Sequence, residues 1–151
     1  MGLFQSFDIS ASGMTAERFR IDVIAENVAN VNTTQTENGQ PYRRKIVTFA
    51  EKRVTPFTEV MAATRRTKEA WLGNGVKVSK VSEDEETDFI MDYDPSHPDA
   101  DENGYVRYPN VNIVTEMTNL IDASRSYEAQ TTVFEASKSI ATTGLGIGSG
   151  S

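Results

Sequence analysis

Apolar residues recur in alternating steps of four and three at the two ends of the chain, and the middle lacks that rhythm. The first series runs Leu3, Phe7, Met14, Ile21, Ile24, Val28 and Val31, with Ser10 and Glu17 in its two weak slots. The second runs Ile113, Met117, Leu120, Ser124, Tyr127, Thr131, Phe134, Ala141 and Leu145, interrupted by Lys138. Each is a heptad seam on a long helix. Such a seam is narrower than the core face of a globular helix, so it must be buried against another helix, either the opposite terminus or a neighbouring copy. The seam positions are therefore the candidate assembly interface.

Between them the pattern changes to strands. Lys45-Ile46-Val47-Thr48-Phe49 is β-branched and aromatic, and Val76 to Val81 follows Gly73-Asn74-Gly75 with partial alternation. Phe89-Ile90-Met91 and Tyr105-Val106-Arg107-Tyr108 are further candidates. The predicted class is α+β: long terminal helices paired as a coiled-coil-like layer, with a small β-rich middle unit. The division is an N-terminal assembly helix (1–35), the middle unit (36–110), a C-terminal assembly helix (111–145) and a flexible tail (146–151).

Local signals set the boundaries. The first helix is expected over Leu3 to Val31, with Gly13 weakening it by about 1 kcal/mol relative to alanine, enough to set the part before Ser12 apart. The polar run Asn32 to Gly39 reads as a connector with a tight turn at Asn38-Gly39. Asn112 caps the second helix, Glu116 sits in its first turn where the helix dipole favours an acid, and Gly144, Gly146 and Gly148 are expected to stop it.

Composition narrows the class. In 151 residues only 38% are hydrophobic, which implies a modest core, and the absence of cysteine excludes disulfides and thiolate metal sites. The start Met1-Gly2-Leu3-Phe4-Gln5-Ser6 lacks the basic and continuous apolar regions of a secretory signal, and no run is long enough to span a membrane. The loose fit of Met1-Gly2 with Ser6 to a myristoylation pattern is set aside as chance in a heptad helix.

The net charge of -7 conceals two blocks. From Pro41 to Val81 ten Lys or Arg face three acids, and from Ser82 to Gly104 there are ten acids and no Lys or Arg. Arg43, Arg44, Lys45, Lys52, Arg53, Arg65, Arg66 and Lys68 alone would fit nucleic acid, but the adjacent acidic block argues that the two stretches neutralise each other, within one subunit or across a contact. No nucleic-acid partner is expected.

Candidate chemistry is sparse. Asp99 to Val106 matches the first eight positions of a calcium loop, glycine at the sixth included, but the twelfth is Asn110, the ninth Arg107, and Asp94-Pro95-Ser96-His97-Pro98 cannot form the leading helix. A proline-pinned turn is the simpler reading. His97 is the only histidine, so neither a histidine-based triad nor a transition-metal site has support. Gly73 and Gly75 lack the remaining elements of a phosphate loop. Trp71 is expected to anchor the middle unit's core or an interface. The expectation is no enzyme, no catalytic residue, no metal and no cofactor.

The run Phe7 to Ala16, continuing through Glu26-Asn27-Val28-Ala29-Asn30-Val31-Asn32-Thr33, resembles the signature of bacterial flagellar rod and hook axial proteins, centred on Ala29, Asn30 and Thr33. Within that family, Pro41-Tyr42-Arg43-Arg44-Lys45, the segment from Asp94 through Pro95, His97 and Pro98 to Asp101, and Gly104-Tyr105-Val106 resemble its proximal-rod members. Tyr108-Pro109-Asn110-Val111-Asn112, Glu116-Met117 and Ala123 to Ala129 fit the same members. The resemblance implies a structural subunit of the basal body, exported uncleaved by the flagellar type III apparatus and polymerised into the rod crossing the periplasm. It implies that the terminal helices form the inner layer of a tube. The middle unit would then meet other rod proteins, copies of itself or surrounding rings. Another axial subunit, a calcium-binding module and a coiled-coil adaptor remain the alternatives.

Overall fold

The computed structural model describes residues 3–52 and 73–149. The readings placed on Trp71 and on Arg53, Arg65, Arg66 and Lys68 lie outside the described residues. The element order is α1 (Leu3–Ala29), β1 (Lys45–Glu51), β2 (Val76–Glu83), β3 (Ile90–Tyr93), β4 (Tyr105–Tyr108) and α2 (Ile113–Ser149). Among the described residues two long helices thus bracket, in chain order, two small sheets, β1 with β2 and β3 with β4. This is the expected α+β class. A two-stranded sheet is marginal alone, so these depend on the packing around them.

Several boundaries differ from the sequence reading for identifiable reasons. α1 ends at Ala29 rather than Val31 because Asn30 folds back, its side-chain amide donating to the Glu26 carbonyl at 2.9 Å and its Oδ1 accepting the Thr33 hydroxyl at 3.1 Å. Ala29, Asn30 and Thr33 therefore form the helix stop, which satisfies a terminal carbonyl by side chain. β3 begins at Ile90 rather than Phe89, since the register pairs Ile90 with Tyr108 and the next partner would be Pro109, which has no N–H to give. α2 runs 37 residues through Gly144, Gly146 and Gly148 to Ser149, so these glycines do not stop it. Each glycine costs about 1 kcal/mol in a helix, a weight rather than a barrier. At its start Asn112 caps as expected, its Oδ1 accepting the amides of Val114 at 3.0 Å and Thr115 at 3.2 Å.

The chain divides into two compact units, each drawing on parts of α1, of α2 and of the segment between them. One comprises the described parts of 1–18, 49–79 and 124–151. There the Phe7 and Phe134 rings lie 5.1 Å apart, and the Thr131 hydroxyl reaches Met14 Sδ at 3.6 Å. Gly13 is buried without interrupting α1, because the Gln130 side chain occupies the space of its missing Cβ, 2.7 Å from where that atom would lie. The part before Ser12 is accordingly the same helix and not a separate piece.

Gly75 is the tighter contact in this unit. Its φ is 97°, and a Cβ there would lie 2.0 Å from Ser12 Oγ and 3.4 Å from Ile9 Cα. Ser12 Oγ cannot simply move, because it donates to the Ile9 carbonyl at 2.7 Å and accepts the Val76 amide at 3.1 Å. Gly75→Ala is expected to destabilise the purified chain by about 2–4 kcal/mol, combining backbone strain with overpacking. Gly13→Ala should be nearly neutral, since helix propensity gains what the flexible Gln130 end loses. Urea unfolding of the two variants tests the contrast.

The other unit comprises 19–48 and 80–123. Its core is Val23, Ile24, Tyr42, Val106, Val111 and Ala123, with Pro109 also fully buried. Set into that small apolar core is a group of polar side chains.

Candidate functional site

Asn27 is 1% exposed on α1, and every hydrogen-bonding capacity of its amide is used. Nδ2 donates to the Lys45 carbonyl at 2.9 Å and to Glu116 Oε2 at 3.0 Å, while Oδ1 accepts the Lys45 amide at 2.9 Å and the Tyr42 hydroxyl at 2.9 Å. The side chain thus pairs with the backbone at the start of β1 as a neighbouring strand would, and ties it to α2.

Glu116, 1% exposed, carries the charge of this cluster. Its Oε1 accepts Arg44 Nε at 2.8 Å, and Arg44 Nη1 lies 3.6 Å from Asp84 Oδ2. Asn110 closes the far side, accepting the Arg44 amide at 2.8 Å and donating to the carbonyls of Asp84 at 3.0 Å and Thr87 at 3.2 Å. Asp84 Oδ1 takes the backbone amides of Thr87 and Glu86, and its Oδ2 takes the Thr87 hydroxyl. These bonds, the Thr87 amide first, hold its carboxyl below the usual range. A fully satisfied buried network of this kind fixes relative positions more than it adds stability.

The basic trio divides its partners. Arg43 donates to the Asp84 carbonyl at 2.9 Å and lies over the Phe89 ring at 4.4 Å, Arg44 is shared by Asp84 and Glu116, and Lys45 pairs with Glu26, outside the acidic run. Burial, with Glu26, Glu116 and Glu83 nearby, pushes the Tyr42 phenol well above its ordinary value. The folded state keeps that proton as the unfolded chain loses its own, so stability should fall as pH rises above about 10. Tyr42→Phe should remove this alkaline slope, readable as denaturation midpoint against pH.

The acidic segment is a pinned turn. Asp94 accepts the Ser96 hydroxyl and amide, which lower its carboxyl, and His97 Nδ1 accepts the Asp99 amide at 3.1 Å. Asp101 Oδ1 accepts the amides of Asn103 and Tyr105, and Gly104 has a φ of 82°. Asp94 and Asp101 thus bind their own backbone, while Asp99 Oδ2 accepts the Thr34 hydroxyl at 2.7 Å. Among the described residues no group of three His, Asp or Glu is placed to hold a metal ion, and no helix is long and apolar enough to cross a membrane.

The assembly positions fall into two sets. Phe7, Met14, Ile21, Val28, Val31, Leu120 and Phe134 are half-buried and Ile24 is buried, whereas Ile113, Met117 and Tyr127 are exposed. Leu3 begins α1, and its side chain lies outside the described residues. Among the motif residues, Tyr42, Arg43, Arg44 and Pro109 belong to or border the polar network, while Pro95, His97, Pro98, Gly104 and Tyr105 shape the turn and hairpin; Pro41 is half-buried beside Tyr42. Sequence reasoning named Asn27, Asn110 and Glu116 only as motif or helix-start residues and Asp84 only as part of the acidic block, and did not bring them together in one buried network. The available signal was a run of amides and acids flanking otherwise apolar positions.

Paired terminal helices with a side-chain stop after α1 and a β-rich insertion are the arrangement that the sequence resemblance implies for a flagellar axial protein. Residues 7–35 match the model of the flagella basal body rod proteins, and residues 102–147 match that of the flagellar basal body rod FlgEFG protein C-terminal region. The flagellar basal-body rod protein FlgC of Bacillus subtilis is 43% identical over 98% of this chain and 99% of its own. That of Borreliella burgdorferi is 42% identical over 97% and 98%, and that of Escherichia coli O6:H1 is 41% identical over 93% of each. The chain belongs to the FlgC family of flagellar basal-body rod proteins.

Proposed function

We propose that this chain is a non-enzymatic structural subunit of the proximal rod, part of the axial tube that crosses the periplasm, transmits torque and conducts exported subunits. Residues 1–35 and 111–145 serve as assembly segments, and the middle 36–110 faces other rod proteins or the surrounding rings. The flagellar type III apparatus exports it. The observation that carries this reading is the apolar surface left on α2: Val114 is 74% exposed, Ile121 53%, Ile140 70% and Ile147 78%. Helices that expose this much apolar side chain are built for partners. Near full-length similarity to relatives named as rod proteins agrees with it.

The buried polar network supplies the second requirement of a torque-bearing subunit, a fixed relation between the helices and the strands beside them. Deleting the chain's gene should leave cells non-motile, with basal bodies lacking the rod beyond this subunit. Expression of the chain in the same cells should restore both. Complete rods in the deletion strain would overturn the proposal.

A further inference from the structure

The hairpin β3–β4 turns one face inward, through Val106 and Tyr108, and leaves the other bare. On that outer face the register sets Met91 beside Arg107 and Tyr93 beside Tyr105. Met91 is 50% exposed, Tyr93 62% and Tyr105 43%. Methionine, tyrosine and arginine are the residue types enriched at the centres of protein interfaces.

The face is also preformed. The two tyrosine rings meet edge to face at 5.2 Å, and a Cβ on Gly104 would lie 3.0 Å from Tyr93 Cε2, so the glycine makes room for that ring. Rings already held in place lose little entropy on binding. Beside them Tyr105 and Arg107 also line a groove of about 610 Å³ with Phe89 and Arg43, a recess for an anchoring side chain.

Charge decides the partner. From Asp88 to Arg107 there are six acids and one base. The same hairpin on a second copy would be repelled by this rim, and Arg43, Arg44 and Lys45 of the chain are already engaged within it, whereas a basic surface on another protein is drawn to the rim. We propose that the outer face of the β3–β4 hairpin docks a different protein of the basal body, on a surface with an apolar centre rimmed by Lys and Arg. This rests on the reading of the chain as a rod subunit.

The test replaces Tyr93 by the photocrosslinker p-benzoylphenylalanine in cells lacking the native chain, irradiates isolated basal bodies and identifies the joined peptide by mass spectrometry. The expected adduct is with a different basal-body protein, at a peptide bearing Lys or Arg, and Glu102→Lys in the same chain should reduce its yield. An adduct with a second copy of this chain, an adduct at a peptide without basic residues, or no adduct would overturn the docking proposal. Recovery of the variant in the basal bodies distinguishes that failure from failure of the rod assignment, which would leave it absent from them.

Discussion

Arg44→Met is expected to destabilise the chain by about 3 kcal/mol, while Glu116→Gln costs about 1–2 kcal/mol, its new N–H taking the Arg44 side, where the guanidinium can turn away. The asymmetry comes from exposure. The Arg44 side chain is 27% exposed and reaches water when its partner is neutralised, but the Glu116 side chain is 1% exposed and keeps its charge in the core when the guanidinium is removed. Asn27 remains as its donor, which sets the loss at the lower end for a broken buried pair. Arg44→Met with Glu116→Leu should recover much of the loss, because no charge is then stranded. Denaturant midpoints of the four chains measure this. Equal losses in the two single variants would mean that the carboxylate is not the buried partner.

Met117→Asp combined with Ile113→Asp should abolish motility without unfolding the protein. Met117 is 54% exposed and Ile113 45%, so the single chain tolerates carboxylates there. In an assembled helix layer the same groups would be desolvated and unpaired, at several kcal/mol each. An open helical assembly repeats that defect at every contact of the same kind. Ile24→Asp is a different experiment, since Ile24 is 5% exposed in the chain's own core and the change would damage the fold itself. The pair of outcomes, normal circular dichroism with lost motility for the first and lost structure for the second, separates the assembly surface from the core. Motility retained with both carboxylates in place would remove Ile113 and Met117 from the interface.

The helices and strands were legible because their periods are local properties. Val76 to Val81 alternates as a strand does, and the β4 reading at Tyr105 to Tyr108 coincides with the observed element. Which stripe of α2 turns inward was legible only in part. The covered stripe passes through Glu116, Leu120, Ala123, Ser124, Gln130, Thr131, Phe134 and Ala141, sharing Leu120, Ser124, Thr131, Phe134 and Ala141 with the heptad series and leaving Ile113, Met117, Tyr127 and Leu145 of that series exposed. Glu116 is acceptable inside because Arg44 and Asn27, 72 and 89 residues away along the chain, meet it there. Periodicity counts a polar residue against burial and has no access to partners at such separation. The same holds for Gly13 and Gly75, whose cost is visible in sequence while the close approach each permits is not. The turn at Asp94 to Gly104 was legible as such, because proline, glycine and short acids act on their own backbone.

The most direct measurement of the central claim is a density map of the isolated basal body at side-chain resolution, with this chain traced through it. The account predicts α1 and α2 in the inner layer of the proximal rod, Ile113 and Met117 covered by neighbouring subunits, and both small sheets outside. A rod built without this chain, or one in which its strands line the channel and α2 faces solvent, would contradict it.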